Sequence, residues 1–83
     1  MVPIKDIKEK QKAIEYLHAR HLFTQYQKAK EYLLSGHLSK VRFKERNPKG
    51  CNIYYFRINK QFRAFGAFRQ DGVLVIFEID NHQ

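Results

Sequence analysis

The sequence predicts an α+β fold in which two N-terminal helices pack on a four-stranded antiparallel meander, within a single domain spanning residues 1–83. Three observations predict it. Apolar residues recur at helical spacing as far as Leu33, the period changes between Gly36 and Lys40, and β-branched and aromatic runs with short polar connections follow. Eighty-three residues hold one core and no more, and a domain of this size buries only about 60% of the surface its unfolded chain exposes. A hydrophobic content of 43% and an aromatic content of 14% separate it from disordered chains, which lack the apolar surface to offset their ordering entropy.

The first helix is expected to start at Asp6, because Glu9 three residues later completes a capping-box pattern, and Ile7, Ile14 and Leu17 mark its apolar stripe. Thr24 followed by Gln27 repeats the start signal. Leu22, Tyr26, Ala29 and Leu33 then share a helix face, and Gly36 stands where a C′ glycine ends a helix. A break near 21–24 gives two helices, although no Gly or Pro enforces it and one long bent helix is the competing reading. Val41 and Phe43 alternate with Arg42, Lys44 and Arg46, the period of a strand with one apolar and one basic face. Asn47-Pro48-Lys49-Gly50 reads as a turn. Ile53 to Ile58, Phe62 to Phe68 and Val73 to Ile79 read as strands joined by Asn59-Lys60 and by Gln70-Asp71-Gly72, and connections this short favour antiparallel neighbours. Val73 to Phe77 is apolar on both faces, which places it inside the sheet.

Charge narrows the choice of partner. Sixteen Lys and Arg against eight Asp and Glu give a net charge of +8, and nine of the cations lie between Lys40 and Arg69 with Glu45 as the one acidic residue there. A basic surplus so concentrated points to a polyanion, here RNA. Lys40, Arg42, Lys44, Arg46, Lys49, Tyr55, Lys60 and Arg69 are the candidate RNA-binding residues. If Phe62, Ala64, Gly66 and Phe68 face the core, Arg63 stands mid-strand on the open face beside Phe65, near Tyr54 and Tyr55. That combination offers a planar donor fork for phosphate and rings on which bases stack. The alternative is that these cations only solvate an open sheet.

Other chemistries leave no mark. His18, His21 and His37 have no Cys or carboxylate partners at metal-ligand spacing, and no Gly-rich phosphate loop is present, so neither a metal nor a cofactor is expected. Cys51 stands alone beside a turn, without an intramolecular disulfide partner or an evident activating base. With no signal-like or membrane-spanning apolar run, a cytoplasmic location without membrane contact is expected.

The segments Ile53 to Phe65 and Asp71 to His82 resemble the C-terminal half of the RelE/ParE toxin superfamily: an arginine-bearing strand, a short turn, an aromatic-Arg pair opening the next strand, then an apolar strand closing on a basic or His residue. The resemblance covers Lys40 to His82. It implies a RelE-like fold and a toxin of a toxin-antitoxin pair, in most branches an endoribonuclease that cuts mRNA on the ribosome and is neutralised by a protein antitoxin. Carried over by position, Arg63 is the arginine that stabilises the scissile phosphate, Arg57 the arginine one strand earlier, and His82 the general acid or base. Two departures stand out. Members usually begin with a β-strand, which is expected to be short or missing here, leaving a sheet edge open to a second copy in a homodimer. Many also carry a catalytic tyrosine after the last strand, whereas this sequence ends at Gln83. Two alternatives share the basic surface: a ParE-type gyrase inhibitor, in which His82 is dispensable, and a non-catalytic RNA-binding module.

Overall fold

In the computed structural model, which describes residues 4–81, the chain enters as an extended strand and not as a helix. β1 (Asp6–Glu9) leads into α1 (Gln11–Ala19) and α2 (Phe23–Leu34), and a 3₁₀ turn (Leu38–Val41) precedes β2 (Lys44–Glu45), β3 (Ile53–Arg57), β4 (Phe62–Phe68) and β5 (Val73–Asn81). The sheet order is β1-β5-β4-β3-β2, with β1 parallel to β5 and the other neighbours antiparallel. The α+β class and the two helices are those expected. The sheet has five strands, one more than the meander.

The N-terminal difference has a clear cause. Ile7 pairs with Leu74 and is buried beneath the helices, while α1 begins only at Gln11, after Lys10, with no side-chain cap. The Asp6/Glu9 spacing thus mimics a capping box in a residue pair whose real roles differ. Asp6 accepts a hydrogen bond from the backbone N–H of Ile7 at 2.8 Å, and Glu9 accepts from the Tyr26 hydroxyl at 2.7 Å and from Lys30 Nζ at 2.9 Å. β5 is interior, as its two apolar faces required, and the edge that a missing N-terminal strand would have left open is covered by β1.

α1 and α2 lie on one face of the sheet. Leu17, Leu22, Tyr26, Ala29 and Leu33 meet Ile7, Phe56, Ala64, Leu74, Ile76 and Ile79 in a single core, each large apolar side chain contributing about 1.5–3 kcal/mol on full burial. The break between the helices falls at His21, whose φ of 56° no α-helix accommodates. Gly36, at φ 83°, ends α2 as its position predicted.

The Tyr26 hydroxyl is held against Glu9 inside this core. Burial raises its pKa well above the usual tyrosine value, and the bond to Glu9 and that carboxylate's charge add to the effect. Its stabilising share is present below pH 10, where unfolded tyrosine is neutral, and is lost as pH rises further because only the unfolded chain can release the proton. Denaturation at stepped pH is expected to show stability falling by about 1.4 kcal/mol per pH unit above 10, a component that Tyr26→Phe lacks.

Two stretches depart from simple alternation. The strand expected from Val41 to Arg46 shortens to Lys44–Glu45, because Val41 ends a 3₁₀ turn and plugs into the core, and Arg42, at φ 54°, then reverses the chain so that Phe43 stacks on Tyr54. In β5, Glu78 pairs with Phe65 and Ile76 with Gly66, so Phe77 is an extra residue. Gly66 sits where that bulge brings the backbones together: a Cβ there would lie 2.8 Å from the Val75 carbonyl oxygen and 2.9 Å from Ile76 Cδ1. Gly66→Ala is expected to cost about 1–3 kcal/mol, read as a lowered urea midpoint.

Candidate nucleic-acid interface

The open face of the sheet is built by period two around a tight turn. Asn59 Oδ1 accepts hydrogen bonds from the backbone N–H groups of Gln61 at 2.8 Å and Phe62 at 2.9 Å, closing the β3–β4 hairpin so that Arg57 lies opposite Arg63. Phe56 and Ala64 turn into the core beside them and leave Tyr55, Arg57, Arg63 and Phe65 on the other side. Both arginines are half-buried, and among the described residues neither guanidinium makes a salt bridge.

Aromatic rings pave the ground between these cations. Tyr55 and Phe65 stack at 5.5 Å, the Arg63 guanidinium lies 5.1 Å from the Tyr55 ring centroid, and that of Arg46 lies 5.8 Å from Phe65. The rings restrict where each arginine can point, so the donor forks are oriented before any ligand arrives. Arg42, Lys44, Tyr55, Arg57 and Arg63 line one depression on this face, and a second, of about 430 Å³, joins Arg63, Tyr55, Phe65 and Arg46 to Glu45, Glu78 and Asp80. A larger depression of about 950 Å³ lies at the stacked Phe43 and Tyr54; it is mainly apolar, and neither Arg57 nor Arg63 lines it.

The structure therefore gathers Arg42, Lys44, Arg46, Tyr55, Arg57 and Arg63, and it places Lys40 and Lys60 in an adjoining cleft that Arg57 also lines. Lys49 lies in the exposed β2–β3 connection, outside these depressions. Arg69 lies past the far end of β4 and is committed to Asp71, donating from Nε to Oδ1 at 3.2 Å. Its guanidinium holds the Asp71 carboxyl down to about 2. His82 lies outside the described residues.

Three carboxylates in the second depression were not among the candidates. Glu45 accepts a hydrogen bond from the Gly50 N–H at 2.8 Å, Asp80 pairs in register with Arg63, and Glu78 pairs with Phe65. Strict alternation assigns Glu78 and Asp80 to the face of Leu74 and Ile76, and the bulge at Phe77 reverses that parity. Among the described residues no group of three or more His, Cys, Asp or Glu gathers as a metal site, and no helix is long and apolar enough to cross a membrane. The arrangement suits chemistry on a phosphodiester: cations for its charge, rings for its bases and carboxylates that accept protons.

No family model matches the sequence, and no curated protein matches it. Among solved structures, a chain in the crystal structure of the E. coli DinJ-YafQ complex aligns with a TM-score of 0.68 at 12% identity, over 93% of this chain and 92% of that one. The two share the RelE-like α+β fold, which is the fold the resemblance implied.

Proposed function

We propose that this RelE-like chain is the toxin of a toxin-antitoxin pair and acts as a ribosome-dependent mRNA endoribonuclease that inhibits translation. The observation that carries the reading is the pairing of Arg57 with Arg63 on the open sheet face, free of carboxylate salt bridges among the described residues and framed by Tyr55 and Phe65. The shared fold adds support, since the matching chain was crystallised within the E. coli DinJ-YafQ complex. In this reading a protein antitoxin covers the basic face and neutralises it.

In the proposed reaction a ribose 2′-oxygen attacks the adjacent phosphorus, and the bond from phosphorus to the 5′-oxygen of the next nucleotide breaks. The products are a 2′,3′-cyclic phosphate and a 5′-hydroxyl end. Arg63, assisted by Arg57, takes up the charge that grows on the phosphoryl oxygens as the fifth bond forms. Glu78 or Asp80, across the strands from Phe65 and Arg63, accepts the 2′-hydroxyl proton. His82, one residue beyond the end of β5, supplies the proton that the leaving oxygen needs.

Induced expression tests the reading. Growth arrest with newly cut messages, relieved by Arg63→Ala and reduced by His82→Ala, is the expected result. Arrest with intact messages and accumulating DNA breaks would transfer the protein to gyrase inhibition, and absence of arrest would leave a non-catalytic RNA-binding module.

A further inference from the structure

We infer that the cleft between α2, the 3₁₀ turn and the β3–β4 hairpin is a second phosphate-binding site, which holds the backbone of a single-stranded RNA where it leaves the Arg57/Arg63 face. The inference rests on the RNA reading above and extends it to a surface on the helix side of the molecule. The cleft, of about 320 Å³, is walled by Lys28, Tyr32, Lys40, Arg57 and Lys60, and among the described residues no carboxylate lines it. Among the described residues none of its four cations makes a salt bridge, whereas Lys8, Lys30 and Arg69 elsewhere each hold an acidic partner. Four like charges around one small concavity repel one another, and a bound phosphate chain relieves that repulsion.

The walls are fixed in advance. Asn59 Nδ2 donates to Gln25 Oε1 at 2.7 Å and so ties the hairpin to α2, while Asn59 Oδ1 holds the backbone of the same turn. Buried Ala29, Val41 and Ile58 line its base. Arg57, half-buried over that base, is less hydrated than a cation on an open surface, which strengthens its hold on an anion. Tyr32 adds a ring for a base to stack on.

Continuity selects the ligand. Arg57 lines both this cleft and the depression that contains Arg63, so a flexible chain with a charge on every unit can lie in both at once. A single-stranded nucleic acid is such a chain.

The test uses two uniformly 2′-O-methylated RNA strands, which cannot be cut, of about 12 and about 4 nucleotides. Binding is measured against salt for the wild type, Lys28→Ala/Lys60→Ala, Lys40→Ala/Lys60→Ala and Arg63→Ala. Each cleft variant removes two phosphate contacts, so the slope of log K against log salt for the longer strand should fall in magnitude by about 1.4, with the short strand unaffected. Arg63→Ala should weaken both strands. The cleft lysines are exposed, so circular dichroism should match the wild type, and the two double variants check each other. An unchanged slope for the longer strand with either variant overturns the inference and leaves the RNA reading standing. If those variants instead lose affinity for poly-glutamate while RNA binding is unchanged, the cleft belongs to an acidic protein partner. Failure of the wild type to bind either strand overturns the RNA reading and this inference together.

Discussion

Replacing Arg63 with alanine should lower message cleavage by about 10²–10³-fold, equivalent to about 3–4 kcal/mol of lost transition-state stabilisation, the scale set by removal of one preorganised donor from a site of developing charge. The size of the effect follows from how the residue is held. Its backbone is locked between β3 and β5, opposite Arg57 on one side and Asp80 on the other, and its guanidinium lies 5.1 Å from the Tyr55 ring. Among the described residues no carboxylate depends on that guanidinium for a salt bridge, so the variant should keep its denaturation midpoint while losing activity. Arg63→Lys should recover only part of the loss, since an ammonium keeps the charge but not the planar fork that engages two phosphoryl oxygens. Quantitative mapping of message ends after induction, alongside urea denaturation, separates these effects. Equal cleavage by the wild type and Arg63→Ala would remove this residue from the mechanism.

Phe56→Ala should have the largest effect on stability, about 3–5 kcal/mol. Phe56 is fully buried, its ring centroid 6.1 Å from that of Tyr26, and it closes the contact between α2 and the centre of the sheet. A domain of this size has about 4–12 kcal/mol in total, so the loss brings the variant close to unfolding. Urea denaturation should show a much lower midpoint with little change in slope. Because Phe56 lies between Tyr55 and Arg57 in the chain, growth arrest should disappear as well, here by loss of the fold and not of the chemistry.

Much of this was legible because the relevant patterns are local. β4 runs from Phe62 to Phe68 as its alternation required, and Arg63 stands on the open face to which that parity assigned it. The apolar stripe of α2 and the role of Gly36 were readable for the same reason. What escaped depends on distant contacts. β1 contains one buried apolar residue, Ile7, and its partner β5 lies at the opposite end of the sequence, so nothing local marks it as a strand. Likewise Glu78 and Asp80 join the site only through the bulge at Phe77, a property of the β4–β5 pairing that β5 alone does not display. Lys28 reads as one more solvated helix position until the hairpin is folded against α2.

The most direct test of the central claim is a reconstituted translation reaction supplied with the purified protein, in which message ends are mapped with and without ribosomes engaged. Cuts within the translated region are expected, leaving 2′,3′-cyclic phosphate and 5′-hydroxyl ends, requiring ribosomes and falling by about 10²–10³-fold with Arg63→Ala. Messages that stay intact on active ribosomes at saturating protein, or cuts that persist unchanged with Arg63→Ala, would contradict it.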